Sequence, residues 1–312
     1  AESRLTDLFV YTPTLQEAVV QWTAELTPAA AAVRIRLETT EGTLLAEQTA
    51  QAAETGKMQF SVPDAQPWDT EHPVLHHATA ELLNAAGQAI DRKQVTFGFR
   101  TAEFRADGFY LNGKKTFLRG LNRHQSYPYI GYAAPESLQR EDARILREEL
   151  HCTAVRTSHY PQSPYFLDEC DRRGLLVFTE LPGWQHIGDD NWKDAACEML
   201  REMLLQNRSH PSIILWGVHI NESADDDAFY NRTNKIAPQP CHLRRAIPSA
   251  SCWKRRSTFP PRPLRGTANK PDPPVWLVCN IKINVSAEYT QGAAEDLLNQ
   301  KLSLSSHIHR SR

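Results

Sequence analysis

Along the first hundred residues, apolar and polar side chains alternate in short bursts. Val19-Val20-Gln21-Trp22-Thr23-Ala24-Glu25-Leu26 and Val33-Arg34-Ile35-Arg36-Leu37-Glu38 set an apolar face against a polar one. Met58-Gln59-Phe60-Ser61-Val62 does the same until Pro63-Asp64 stops it. A period of two is the mark of a strand buried on one side. Leu75 to Leu83 and Arg92 to Phe99 follow, parted by the turn-forming Asn84-Ala85-Ala86-Gly87-Gln88. About seven short strands, with turns roughly every 8 to 12 residues, predict an immunoglobulin-like β-sandwich over residues 1–103. No cluster of reactive side chains stands out in it, so it reads as a packing and spacing domain.

From about Phe109 the pattern becomes one of strands alternating with helices. Thr116 to Leu121 is a first apolar run, and a helix is expected from Pro135 to Leu150. Thr153-Ala154-Val155-Arg156 leads to Ser163-Pro164, an N-cap with a first-turn proline, and to a helix ending at Gly174. Leu175-Leu176-Val177-Phe178 is apolar throughout, as a strand covered on both faces should be. A helix from Trp192 to Arg208 aligns Ala196, Met199, Leu200, Met203 and Leu204, and Ser212 to Trp216 forms a fourth strand. Four βα-type units in a row predict a parallel sheet, open or closed into a barrel, over residues 104–236.

Both periodicities end at about Ala237. Residues 238–274 hold nine prolines and eight Lys/Arg against a single acid, Asp272, so this stretch carries +7 while the whole chain carries −2. A polybasic arm for nucleic acid is one reading of residues 237–312. The preferred one is a segment without an evolved fold, produced by a shift of reading frame near residue 237. A net charge of −2 speaks against a general binder of nucleic acid or anionic membranes. No run of 18 apolar residues occurs, and Ala1-Glu2-Ser3-Arg4 does not begin a signal pattern, so a cytoplasmic protein is expected, or one processed or cut from a longer chain. The six cysteines, at 152, 170, 197, 241, 252 and 279, form no CxxC pair or zinc-spaced cluster and are expected to be reduced structural thiols.

Polar, reactive residues gather where the four parallel strands end: Asn122-Arg123-His124-Gln125, Arg156-Thr157-Ser158-His159-Tyr160-Pro161, Thr179-Glu180, and Asn221-Glu222. In parallel α/β folds that edge carries the chemistry. Four strands delivering ionisable groups to one rim are hard to explain by packing alone.

These segments also resemble a known family. Asp107-Gly108-Phe109-Tyr110-Leu111-Asn112-Gly113-Lys114, Arg119 to His124, Val155 to Pro161, Cys170-Asp171 through Glu180, and Asn207 to Trp216 with Asn221-Glu222 match glycoside hydrolase family 2, the β-galactosidase and β-glucuronidase group, in order and spacing. The resemblance covers about residues 1–236. It implies a β-sandwich followed by a partial (β/α)8 TIM barrel, truncated after strand four, and hydrolysis of terminal β-linked sugars, galactosides above all, by a retaining double displacement. It assigns Glu222 as general acid/base, and packing near Trp216 predicts that desolvation raises its pKa. Asn221 resembles the ligand of the sugar 2-hydroxyl, His124 and His159 the substrate and transition-state contacts, and Arg156 the arginine that orients the carboxylates. Glu180 matches an acidic position at the end of strand three, where a purely structural ion pair is the competing role.

Two departures stand out. Family members with a catalytic-site magnesium place a Glu four residues beyond the position of Glu180 and a His two further on; here Trp184 and His186 occupy those places. No metal and no other cofactor is therefore expected. The nucleophile should come from strand seven, about 5 to 5.5 Å from the acid, and no such strand is evident. Glu288 in Ser286-Ala287-Glu288-Tyr289 is a weak candidate. The expected partner is a carbohydrate, with homo-oligomerisation left open. Two alternatives are a carbohydrate-binding pseudoenzyme and a β-sandwich interaction module.

Overall fold

The computed structural model describes residues 2–237; the Pro/Arg-rich tail, with Glu288 and the three cysteines beyond Cys197, lies outside the described residues. Seven strands build the sandwich. β1 (Arg4–Thr14), β2 (Glu17–Glu25) and β5 (Thr55–Ser61) form one antiparallel sheet, in the order β1-β2-β5. β3 (Ala32–Thr39), β4 (Leu44–Gln51), β6 (His76–Leu83) and β7 (Ala89–Phe97) form the other, in the order β4-β3-β6-β7. Val20, Trp22, Ile35, Leu37, Phe60 and Leu82 interdigitate between them, so the alternating residues do face one core.

The alternation did not reveal β1 or β4, and each omission has a cause. β4 is exposed along most of its length and has no buried face to advertise. In β1 a register shift between Leu5 and Asp7 breaks the period. Leu8, Phe9 and Val10 are then buried in succession. Leu8 and Val10 point into the sandwich, while Phe9 lies under the Arg208 guanidinium of the second domain, 4.4 Å from ring centroid to Cζ.

A small meander, β8 (Ala102–Arg105), β9 (Gly108–Leu111) and β10 (Lys114–Lys115), joins the two parts. Four parallel strands follow, side by side in chain order: β11 (Gly120–Arg123), β12 (Ala154–Thr157), β13 (Leu176–Glu180) and β14 (Ile213–Gly217). After them come α1 (Glu136–Arg144, running on into a wider π turn, Ile145–Glu149), α2 (Pro164–Arg173), α3 (Asp190–Asn207) and α4 (Asp227–Ile236), respectively. This is the expected sandwich followed by a partial parallel barrel.

Local details differ from expectation. The first barrel strand begins at Gly120, not Thr116, and Phe117 is exposed. Gly120 passes so close to β12 that a Cβ on it would stand 1.8 Å from the Ala154 carbonyl oxygen. Ser163 precedes α2 but makes no side-chain capping bond; Pro164 opens the helix, and Gly174, at φ +66°, closes it. Met199 is exposed, and Cys197 takes its place on the buried face of α3. Cys152, Cys170 and Cys197 are buried free thiols.

Side chains two apart share a face of a strand, and this arranges the barrel interior in layers. Low in the sheet, Ala154, Leu176 and Ile214 meet Phe109, Leu111, Leu118 and the fully buried Trp68 in an apolar floor. Higher on the same faces stand Arg156 on β12, then Phe178 and Glu180 on β13. Below the floor the two domains are clamped: Trp68 Nε1 donates to the Asp171 carbonyl (2.8 Å), and Arg100 donates to the carbonyls of Pro211 and Ile213 (2.7 Å each). His210 Nδ1 pairs with Asp171 (2.5 Å), whose other oxygen accepts the Ser212 amide (3.0 Å). Burial works against a charge on His210, but the Asp171 carboxylate outweighs it and raises the imidazole pKa.

Candidate active site

The parallel register fixes which strand ends meet. Arg156 pairs across with Asn122 on one side and Phe178 on the other, and Glu180 pairs with Gly217. Glu180 is buried, and each of its oxygens is engaged. Arg156 Nε donates to Oε1 at 2.6 Å, and His159 Nδ1 stands 2.9 Å from Oε2. A carboxylate only accepts, so this contact places the His159 proton on Nδ1 and leaves Nε2 as the atom available to a ligand. A second arm of Arg156, its Nη2, donates to Asn221 Oδ1 at 2.9 Å. One guanidinium thus ties the end of β13 to the loop after β14, and its Cζ lies 5.5 Å from the Phe178 ring.

His124, directly after β11, joins through its ring, 5.3 Å from His159 in a T-shaped contact. Desolvation, reinforced by the charges of His159 and Arg156, lowers its pKa, so it is neutral at neutral pH and offers one donor and one acceptor. Glu222 follows Asn221 but is exposed, whereas Trp216 is buried in the core. The expected enclosure of Glu222 beside Trp216 is not what the described residues form. Its carboxylate is held instead by Gln185, whose Nε2 donates to Oε2 at 2.7 Å.

Gln185 also anchors the backbone, its amide donating to the Asn221 carbonyl at 2.8 Å. Both residues sit in the left-handed region, Gln185 at φ +65° and Glu222 at φ +54°. For a side chain other than Gly that conformation costs about 1 kcal/mol or more, and such strain concentrates at functional positions. The turn trades backbone comfort for the direction in which Glu222 points.

The structure therefore brings Arg156, His159, Glu180 and Asn221 into one bonded cluster, adds His124 by ring contact, and sets Glu222 at its edge. Glu180 makes the ion pair considered for it, inside the cluster and not apart from it. Gln185 was missed, and nothing local marks it: only the fold brings residues 185 and 222 together. Gly217 was missed too, although a Cβ there would lie 2.8 Å from Glu180 Cγ and 2.9 Å from Phe178 Cε2. A glycine closing an apolar strand was the available signal.

The magnesium ligands of some family members do not fit this chain. Trp184 offers no donor atom for a cation and is 65% exposed, and His186 packs its ring on Trp192 at 5.7 Å. Among the described residues, ligand atoms of Asp168, Asp171 and His210 lie within 4.8 Å of one another, but at the opposite end of the sheet and in the interdomain clamp. No described helix is long and apolar enough to cross a membrane.

Comparison with known proteins agrees with this layout. Residues 3–100 match the model described as glycosyl hydrolases family 2, and residues 102–238 match the TIM barrel domain of the same family. A β-galactosidase of Thermoanaerobacterium thermosulfurigenes is 57% identical over 178 residues, which is 57% of this chain and 24% of that protein. A putative β-glucuronidase of Formosa agariphila is 37% identical over 199 residues, covering 59% of this chain and 24% of that protein. A solved β-glucuronidase of Bifidobacterium dentium superposes with a TM-score of 0.68 at 25% identity, covering 77% of this chain and 43% of the other. The chain spans about a quarter of the length of these curated relatives.

Proposed function

We propose that this chain, which belongs to glycosyl hydrolases family 2, carries the sugar-binding and acid/base side of a retaining β-glycosidase, with terminal β-galactosides as its substrates. The observation that carries the reading is the linked set Arg156–Glu180–His159–Asn221 beside Glu222 at the C-terminal ends of consecutive parallel strands.

Each part has a task. A glycosidic oxygen leaves only if it is protonated, and Glu222, first residue beyond the cluster, reaches outward to supply that proton; later it takes one from water. Positioned acid/base catalysis of this kind contributes about 10²- to 10⁴-fold. Asn221, its carbonyl oxygen used by Arg156, presents its amide nitrogen as a donor to a sugar hydroxyl. His159 Nε2 and the neutral His124 ring supply further hydrogen bonds to hydroxyls. Glu180 is a positioning residue: it holds Arg156 and the His159 tautomer. The second carboxylate is expected from strand seven, and Glu288, the candidate named above, lies outside the described residues.

The galactoside preference rests on the β-galactosidases with 57% and 53% identity, against 37% for the putative β-glucuronidase. The test is hydrolysis of matched 4-nitrophenyl β-galactoside and β-glucuronide by the purified chain. Faster turnover of the galactoside supports the proposal, and a preference for the glucuronide overturns the choice of sugar. A second reading, binding of β-galactosides without turnover, is favoured by the match to the family's barrel domain ending at residue 238, after four parallel strands. It predicts galactoside affinity with no hydrolysis.

A further inference from the structure

Trp184 stands where magnesium-binding family members carry a carboxylate, and its surroundings suggest another use. Its backbone bridges to Asn221, next to Glu222, and its ring lies 6.1 Å from that of His159. From His159 the contacts continue to His124 at 5.3 Å, from His124 to Tyr160 at 6.2 Å, and from Tyr160 to Tyr132 at 5.5 Å. Five rings thus form an unbroken ribbon along the rim. Its two ends are open: Trp184 is 65% and Tyr132 62% exposed. Beneath it the cluster becomes rapidly drier, with Glu180 only 4% exposed.

We propose that the exposed Trp184 end of this ribbon binds the leaving group of the substrate and selects for one that presents a flat apolar ring face, whether aryl or pyranose. This rests on the reading of Glu222 as the general acid. The acid must touch the oxygen between the sugar and its leaving group. The hydroxyl-rich sugar is recognised by the polar cluster below, so the leaving group projects past Glu222 toward the open rim. There Trp184 is the chain neighbour of the Gln185 that holds the acid, and its backbone bridges to Asn221. Stacking on a tryptophan face needs no hydrogen-bond register and tolerates both kinds of ring. Large aromatic side chains left in water beside a buried polar cluster are the usual form of such a contact surface.

The test is calorimetric titration of the full chain with three ligands: methyl β-galactoside, phenyl β-galactoside and a β-galactosyl-glucose disaccharide. The proposal expects phenyl galactoside, the disaccharide or both to bind about 2- to 10-fold tighter than methyl galactoside, the range that one ring contact gives. Which of the two gains identifies the leaving group as aryl or sugar. Trp184→Ala should erase that advantage and leave methyl galactoside affinity unchanged, which also shows that the variant is folded. Tyr132→Ala, at the far end of the ribbon, should leave it in place. An advantage that survives in Trp184→Ala overturns the proposal, as does a loss of methyl galactoside affinity in folded Trp184→Ala. If the unsubstituted chain binds none of the three ligands, the functional reading fails and this inference falls with it.

Discussion

Replacing Glu180 by Gln isolates the electrostatic knot of the site. The side chain keeps its shape, but the pair it makes with Arg156 at 2.6 Å loses its charge, with the two side chains 5% and 18% exposed. Removing one partner of a buried pair costs about 3 to 5 kcal/mol, because the remaining charge stays desolvated. The Gln carbonyl can still accept one bond, from Arg156 or from His159 but not from both. The expected loss is therefore at the lower end, about 3 kcal/mol, read as a shift of the urea midpoint at constant slope. Galactoside affinity should fall as well, because His159 and Asn221 both take their positions from this knot. Replacing both partners by apolar residues, Arg156→Met with Glu180→Leu, should recover part of the stability and none of the affinity. A loss below about 1 kcal/mol in Glu180→Gln would refute the view that this pair organises the site.

Three further outcomes follow from the geometry. His76 is 2% exposed between Phe97 and Phe99, with Nδ1 unpartnered, and burial lowers its pKa from 6.5 to about 4. The unfolded chain takes up this proton below pH 6.5 and the folded one does not, so stability is lost as pH falls from about 6.5 to 4; His76→Phe should gain about 2 kcal/mol more at pH 4.5 than at pH 7 by urea denaturation. Glu222→Gly relieves the φ +54° backbone and should raise the urea midpoint by an amount worth about 0.5 to 1 kcal/mol while abolishing hydrolysis; a destabilised variant would argue against strain at this turn. Gly217→Ala drives a methyl group against Glu180 and Phe178 and should cost about 1 to 3 kcal/mol together with galactoside affinity; an unchanged midpoint would show that the neighbours yield freely.

The fold was legible in the sequence wherever burial had a simple period. One-sided strands such as β2 and β3 alternate, and β13, covered on both faces, reads as a continuous apolar run. Strands without a burial period left no trace: β4 because it faces water, β1 because the second domain covers its other face. The start of β11 was misplaced because Phe117 and Leu118 look like strand interior, while Gly120 is what allows the close approach to β12. At the site, the residues at strand ends were legible because the parallel fold collects them on one rim. Gln185 and Tyr132 were not, since their roles arise from loops that only the folded chain brings to Glu222 and Tyr160. The exposure of Glu222 could not be anticipated either, because it depends on the left-handed turn that carries Glu222 away from the core.

The claim on which the account depends is that Glu222 moves the proton. The most direct measurement is the rate at which the purified chain hydrolyses 4-nitrophenyl β-galactoside, compared with that of Glu222→Gln. Turnover should fall by about 10²-fold or more in the variant, with galactoside affinity retained. Equal rates in the two proteins would contradict the assignment of Glu222, and absence of turnover from both, with affinity intact, would leave a protein that binds β-galactosides without cleaving them.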